Sequence, residues 1–200
     1  MTSHKKALLS EYFTVAWNVL EGIVAIAAGI ISGSIALVGF GVDSYIEVAS
    51  GLFLIWRLRK HGFDDEDEEA AEKKAVFFVG VTFILLALYV IYESVKKLFF
   101  HEHPEESLVG IVLAIVSLIV MPLLASYKKK IAAEIRSRAL RADALETLAC
   151  SYLSLTLLLG LAANALFGWW WADPVAGLAM TPLIAWEGWQ ALTGRTCCDD

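Results

Sequence analysis

Cysteine and positive charge are both scarce in this chain. Only three of its 200 residues are cysteines, and they argue against a disulfide scaffold because Cys150 lies within an apolar stretch while Cys197 and Cys198 are adjacent. Free thiols in a reducing compartment are the simpler interpretation. The formal net charge of −6 comes largely from the acidic run 64–69 (DDEDEE), so the charge balance gives no sign of a nucleic-acid partner.

The motifs of an enzyme or an ATP-driven pump are also missing. The sequence contains no nucleophile with a partnered base, no glycine-rich loop that could cradle phosphate and no Walker-type lysine. We therefore predict neither enzymatic activity nor ATP-driven transport.

Apolar residues, by contrast, dominate the chain. They make up 58% of it and give a mean hydropathy of +0.63, which is too apolar for a soluble domain whose surface must be wetted. The opening segment MTSHKK followed by an apolar stretch resembles a secretory signal, but that stretch is too long and carries Asn18 and Glu21. The sequence therefore predicts an integral membrane protein with a retained first span.

Six apolar windows are long enough to cross the hydrocarbon core, which takes about 20 residues. They lie at about 11–31, 34–57, 74–98, 107–127, 139–163 and 173–194. Turn residues such as Gly33, Pro104 and Pro174 separate them. We predict an all-α membrane protein with six transmembrane helices. The chain, 1–200, is expected to form a single transmembrane domain without a C-terminal cytoplasmic domain.

The distribution of lysine and arginine indicates the orientation of these spans. An even number of spans places both termini on one side, and 14 of the basic residues fall on that side, whereas only Lys96 and Lys97 fall on the other. We therefore predict cytoplasmic N- and C-termini. Trp169, Trp170 and Trp171 then lie at the outer interface, where amphipathic aromatic rings collect.

Two pairs of side chains that ligate metals interrupt the apolar windows, each at i, i+4: Asp43 with Glu47, and Glu146 with Cys150. At that spacing both members of a pair project from one helix face. An ionisable residue near the middle of a membrane costs roughly 2.5 to 3.5 kcal/mol. Three buried carboxylates therefore need neutralising, by a divalent cation in one state and by protons in another.

The two pairs also lie at matching depths. With a rise of about 1.5 Å per residue, Glu47 is roughly 15 Å and Cys150 roughly 16 Å from the cytoplasmic ends of their spans. Antiparallel helices could then present all four ligands around one point, and four such ligands suit a tetrahedral cation such as zinc. The alternative is that these side chains are interhelical hydrogen-bonding groups, with Cys150 a small packed core residue.

Glu21 and Asn18 of the first span lie at a similar depth. They could support the ligands or carry protons, or they could simply bond neighbouring helices. Asp143 could sit at the cytoplasmic entrance to the site or have a structural role near the start of its helix, and Glu187 could snorkel. Outside the spans, the acidic run could concentrate cations, Cys197 and Cys198 could capture a soft metal, and His101 and His103 could help release it.

The residues that carry these pairs resemble the membrane domain of the cation diffusion facilitator (CDF) family. Residues 32–51 (SGSIALVGFGVDSYIEVASG) are similar to its second span, and residues 140–161 (LRADALETLACSYLSLTLLLGL) to its fifth. The resemblance covers essentially the whole chain in order. It implies a CDF-like fold, a metal site of Asp43, Glu47, Glu146 and Cys150, and alternating access that exchanges metal for protons. Family members that carry zinc commonly have His or Asp and then Asp where this chain has Glu146 and Cys150.

The resulting hypothesis is an efflux transporter for a divalent transition metal, working as a metal/proton antiporter. Zinc is the first expectation for the transported ion, with cobalt, cadmium, ferrous iron and manganese as alternatives. The expected partners are the metal ion, protons, the lipid bilayer of a bacterial inner (plasma) membrane and a second copy of the chain, since a homodimer would rest on the membrane helices. The rival hypothesis is a membrane metal sensor or adaptor that keeps the metal site but does not transport.

Overall fold

The residues that the structure describes form six consecutive helices, as the sequence predicts. The computed structural model describes residues 3–59 and 66–193, so Cys197, Cys198 and the side chains of the acidic run 64–69 lie outside the described part. The helices are α1 (Ser3–Ser32), α2 (Ile35–Arg59), α3 (Glu66–Phe100), α4 (Leu108–Ile135), α5 (Arg138–Phe167) and α6 (Ala172–Thr193). Each overlaps one predicted window, and the all-α prediction is confirmed.

Four of these helices are long and apolar enough to cross a membrane when the described residues alone are considered. They are α1, α2 (Ile35–Trp56), α4 and α5 (Ala139–Phe167). The outward faces of the bundle are apolar too, with Ile31 79%, Phe99 77% and Leu166 75% exposed. Exposure of so much apolar surface to water is energetically unfavourable, so these faces contact lipid. The chain is an integral membrane protein.

The helices pack in antiparallel pairs around a shared core. α1 lies along α2, α4 along α5 and α3 along α6, and α2 also contacts α3, α5 and α6. The core is built of large side chains that are fully or almost fully buried, among them Phe40 of α2, Leu157 of α5 and Ile184 of α6. This arrangement sets the face of α2 that carries Asp43 and Glu47 beside α5, which carries Glu146 and Cys150.

Glycine allows a close helix contact between α1 and α2. A Cβ atom added to Gly41 would lie 2.9 Å from the backbone nitrogen of Ile26 and 2.9 Å from the Ala25 methyl group. Neither the backbone nor a short methyl can move aside as the end of a flexible side chain does. The two helix backbones therefore touch at this position only because it carries no side chain.

We expect Gly41→Val to destabilise the protein by about 1 to 3 kcal/mol through overpacking of this contact. The measurement is thermal unfolding of the purified protein in detergent. Ala27→Val is the matched control, because it adds similar volume to an exposed position of α1. An unchanged melting temperature in Gly41→Val would contradict the close contact.

The turn between α1 and α2 is closed by a carboxylate from α6. Asp173 Oδ2 accepts a hydrogen bond of 2.9 Å from the Ile35 backbone N–H, and its Oδ1 accepts one from the Ser34 hydroxyl. The Ser34 oxygen in turn accepts from the Leu37 N–H at 3.0 Å. These contacts satisfy first-turn amides of α2 that a helix cannot bond internally. Asp173, which the sequence marks only as a turn residue, fastens the start of α6 to the start of α2.

Candidate metal centre

The acidic pair of α2 points into the bundle. Asp43 is 2% and Glu47 5% exposed, as their i, i+4 spacing on a helix packed on several sides requires. Glu47 Oε2 accepts a hydrogen bond of 2.5 Å from the Asn18 amide of α1. Asp43 Oδ1 is buried and has no hydrogen-bond partner among the described residues. A buried carboxylate oxygen without a donor is costly, and a bound cation or a proton would satisfy it.

The second predicted pair lies on the neighbouring helix, α5. Cys150 is 1% exposed, and Glu146 is half-buried and accepts a hydrogen bond of 3.2 Å from the Ser50 hydroxyl of α2. Glu47 lies within electrostatic range of Asp43 and Glu146, and Cys150 within range of Glu47 and Asp43. The structure therefore places the two predicted pairs on neighbouring helices, near enough to interact electrostatically.

The four side chains do not form a closed coordination sphere. Within residues 3–59 and 66–193, no three His, Cys, Asp or Glu side chains are grouped closely enough to hold a metal ion. Binding of a metal by the two pairs would require their side chains to converge. The assignment of Asp43, Glu47, Glu146 and Cys150 as ligands remains a prediction, and their burial and proximity favour it.

Glu21 of α1 is a further buried carboxylate beside these pairs. It is fully buried and accepts hydrogen bonds from the Ser44 hydroxyl of α2, at 3.3 Å, and from the Ser117 hydroxyl of α4. It also lies within electrostatic range of Asp43 and Glu47. The side chain thus links three helices next to the predicted ligands, which is one of the roles that the sequence left open; support of the ligands and proton transfer stay predictions.

Lys128 is the polar residue that the sequence prediction missed. It counts among the cytoplasmic lysines in the charge distribution, yet its side chain is fully buried. Its ammonium lies 2.5 Å from Asp143 Oδ2 and 3.2 Å from Glu11 Oε1, and it donates to the Thr147 hydroxyl at 3.3 Å. The group joins α1, α4 and α5, and we call Glu11, Lys128, Asp143 and Thr147 the lysine cluster.

The inward position of Lys128 follows a signal that is present in the sequence. The buried residues of α4 recur at helical spacing as Ala114, Ser117, Met121, Leu124, Lys128 and Ile131. Lys129 and Lys130 lie off this stripe and are exposed. A count of loop charges treats Lys128, Lys129 and Lys130 alike. The 3.6-residue period of the helix, by contrast, places Lys128 on the buried face and the other two outside it.

Two other groups named from the sequence lie in the described part of the chain. Glu187 of α6 is half-buried, and Asp43 and Glu146 lie within electrostatic range of it. The interpretation that Glu187 snorkels stays a prediction. His101 and His103 both pack against Trp170, with ring centroids 5.0 and 5.2 Å away. This aromatic contact does not test a role of the two histidines in metal release, which stays a prediction.

Buried acids outnumber buried bases in the described part of the bundle. The carboxylic acids that are buried belong to Glu11, Glu21, Asp43, Glu47 and Asp173. Lys128 is the lone buried cation among the same described residues. Isolated ionised carboxylates are not stable in a low-dielectric interior. The bundle therefore requires added positive charge, and a metal cation and protons are the two forms that its donor groups accept.

Comparison with known proteins agrees with this chemistry. The family profile described as the cation efflux transmembrane domain matches residues 12–193. An uncharacterized transporter of Synechocystis sp. is 25% identical over 81% of this chain and 54% of its own length. The cation-efflux pump FieF of Shewanella oneidensis is 24% identical over 84% of this chain and 57% of its own. Transmembrane protein 163 of Xenopus laevis is 25% identical over 78% of this chain and 54% of its own. The chain spans little more than half the length of these relatives.

Proposed function

The chain belongs to the cation efflux family, a family of membrane transporters of cations, and from that premise we propose that it exports a divalent transition metal in exchange for protons. Zinc is the ion we propose first, with cobalt, cadmium, ferrous iron and manganese as alternatives. The proposed ligands are Asp43, Glu47, Glu146 and Cys150. The proposal includes alternating access, cytoplasmic termini in a bacterial inner membrane, and a homodimer formed through the membrane helices.

The buried acidic pair of α2, in which one Asp43 oxygen lacks a donor, is the observation that carries this proposal. Asp43 and Glu47 are almost fully buried in a bundle surrounded by lipid, and one oxygen of Asp43 has no donor among the described residues. Glu146 and Cys150 lie near this pair on α5. Carboxylate oxygens with a thiolate are donors that a zinc-like ion accepts, whereas a purely structural role would give each carboxylate a hydrogen-bond donor.

Proton exchange follows from the chemistry of these donors. A metal binds the deprotonated carboxylates and the thiolate, so its binding releases the protons that those groups hold in its absence. Metal and protons thus compete for one set of side chains. If the site opens alternately to the two sides of the membrane, this competition couples outward metal movement to inward proton movement.

A zinc pulse applied to proteoliposomes tests this coupling. We expect metal uptake into the vesicles to be accompanied by exit of protons from them, because both ions use the same carboxylates. A pH dye trapped inside the vesicles should therefore record a rise in internal pH. Vesicles that contain Glu47→Gln should show neither signal. Metal flux without a change in internal pH would indicate a channel or uniporter, and metal binding without flux would indicate the sensor or adaptor.

A further inference from the structure

Lys128 occupies a position that the proposed transport cycle does not yet use. It lies on the buried stripe of α4 and its ammonium contacts only oxygen atoms: Glu11 Oε1 at 3.2 Å and Oε2 at 3.3 Å, Asp143 Oδ2 at 2.5 Å and Thr147 Oγ1 at 3.3 Å. Two carboxylates and one hydroxyl surround this single positive charge, which has no surface exposed to water. They form a cage for a cation, and the cation that occupies it is the side chain of Lys128 itself.

The lysine cluster lies directly beside the candidate metal centre along α5. Asp143 precedes Glu146 by three residues, about 4.5 Å along the helix axis, and Thr147 follows Glu146 immediately. Glu47 and Glu146 both lie within electrostatic range of Lys128. We call the carboxylates Asp43, Glu47 and Glu146 the acidic layer. The ammonium therefore supplies positive charge to the acidic layer from the side of the α4–α5 connection.

An apolar cluster closes the bundle beyond the lysine cluster, toward the same end. It comprises buried side chains of four helices, namely Ala7, Leu54, Leu58, Ile131, Ala132 and Leu140. Ile131 and Ala132 lie one turn beyond Lys128 on α4, and Leu140 lies one turn before Asp143 on α5. A cation that approaches the candidate ligands from this end meets the apolar cluster first and the ammonium second.

The Lys128 ammonium is an electrostatic barrier to an approaching cation. A divalent cation is repelled by Lys128 but attracted by Glu11 and Asp143, so it would compete with the ammonium for these two carboxylates. Because the cage residues belong to α1, α4 and α5, releasing Lys128 also breaks the polar contact that joins these three helices at this end.

We propose that Lys128 is a tethered cation that closes the passage between the α4–α5 end of the bundle and the acidic layer. Glu11 and Asp143 are positioning residues that hold it in place. The transported cation and Lys128 then compete for the same carboxylates, and arrival of the cation breaks the polar contact of α1 with α4 and α5. This inference rests on the proposed function for its role in transport, but its structural content can be tested without any metal.

The accessibility of the buried Cys150 thiol reports on this passage. Replacing Cys197 and Cys198 by serine leaves Cys150 as the only thiol of the chain, and its modification by a small cationic methanethiosulfonate is measured in detergent without added metal. We expect Lys128→Met to accelerate modification at least about tenfold, because removing one partner of a buried ion pair leaves uncompensated charge that draws water in. Lys129→Met, which removes the same charge from an exposed neighbour, should react at the parent rate.

A second control separates opening of the passage from general loosening. Asp173→Asn weakens the cap between α2 and α6 at the opposite end of the bundle, so it should leave the rate at Cys150 unchanged. If Asp173→Asn accelerates modification as much as Lys128→Met does, or if folded Lys128→Met reacts at the parent rate, the proposal is overturned.

Asp143→Asn keeps the test decisive if Lys128→Met does not fold. It retains the ammonium but removes one of its two carboxylates, and we expect a smaller acceleration, of about threefold or more, in line with loss of a charged hydrogen bond. A parent rate in folded Asp143→Asn would overturn the proposal. Since the assay contains no metal, a protein that fails to transport can still pass it, and a working transporter can fail it.

Discussion

Replacing Asp43 by asparagine should reduce metal export to the level of protein-free vesicles. Asparagine matches aspartate in shape, so the α2 face stays packed, but it cannot supply the negative charge that a divalent cation requires in a dry interior. The unfolding temperature should stay the same or rise, because the variant removes a buried acid that has an oxygen without a donor. Zinc uptake into proteoliposomes and thermal unfolding in detergent measure the two effects.

Glu134→Gln is the matched control for this experiment. Glu134 is an exposed acid of α4 that accepts a hydrogen bond of 2.8 Å from Ser3, and the change removes one negative charge far from the acidic layer. Its flux should equal that of the parent. Full metal flux in Asp43→Asn would remove Asp43 from the site and, with it, half of the acidic pair of α2.

Cys150→Asp should change which metal is transported. The thiolate is the one soft donor among the four proposed ligands, and sulfur favours zinc and cadmium over manganese, which prefers oxygen. An all-oxygen site should therefore raise manganese transport relative to cadmium by roughly tenfold or more, as expected when a ligand of different softness is exchanged. Competition between cadmium and manganese during uptake into proteoliposomes measures the ratio.

Cys150→Ser separates a ligand from a packed core residue. Serine preserves the small volume but lacks the soft sulfur, so cadmium transport should fall more than manganese transport. Cys150 is buried to 99% and belongs to the apolar core, where a free cysteine can also be inert packing. An unchanged order of metal preference in both variants would leave Asp43, Glu47 and Glu146 as a three-carboxylate site.

The helices could be predicted from the sequence because their signal is local. A span needs a long apolar window, and each window is bounded by turn residues, so all six elements follow from composition along the chain. The boundaries are less well determined. α1 begins at Ser3 instead of near residue 11, because Ser10 and Thr14 bond their own helix backbone and Glu11 pairs with Lys128. Polar residues with such partners extend a buried helix that hydropathy alone would end.

The acidic layer could be predicted only in part. Spacing shows that Asp43 shares a face with Glu47, but it does not show how a helix is rotated against its neighbours. The half-buried position of Glu187 and the pairing of Lys128 with Glu11, 117 residues apart, depend on that rotation. Likewise, Asp173 caps α2 by accepting a hydrogen bond from Ile35, which lies 138 residues earlier in the sequence. A local sequence pattern cannot predict a partner at that separation.

The cap that Asp173 provides has a consequence for where the chain sits in the bilayer. The first amides of a helix usually rely on water or lipid headgroups, which forces the helix to begin at the membrane surface. Ile35 and Leu37 instead bond to side chains of the bundle itself. The α1–α2 turn can therefore lie below the headgroups without leaving an amide unpaired. The first amides of α2 are therefore paired whichever groups of the membrane lie beside the α1–α2 turn.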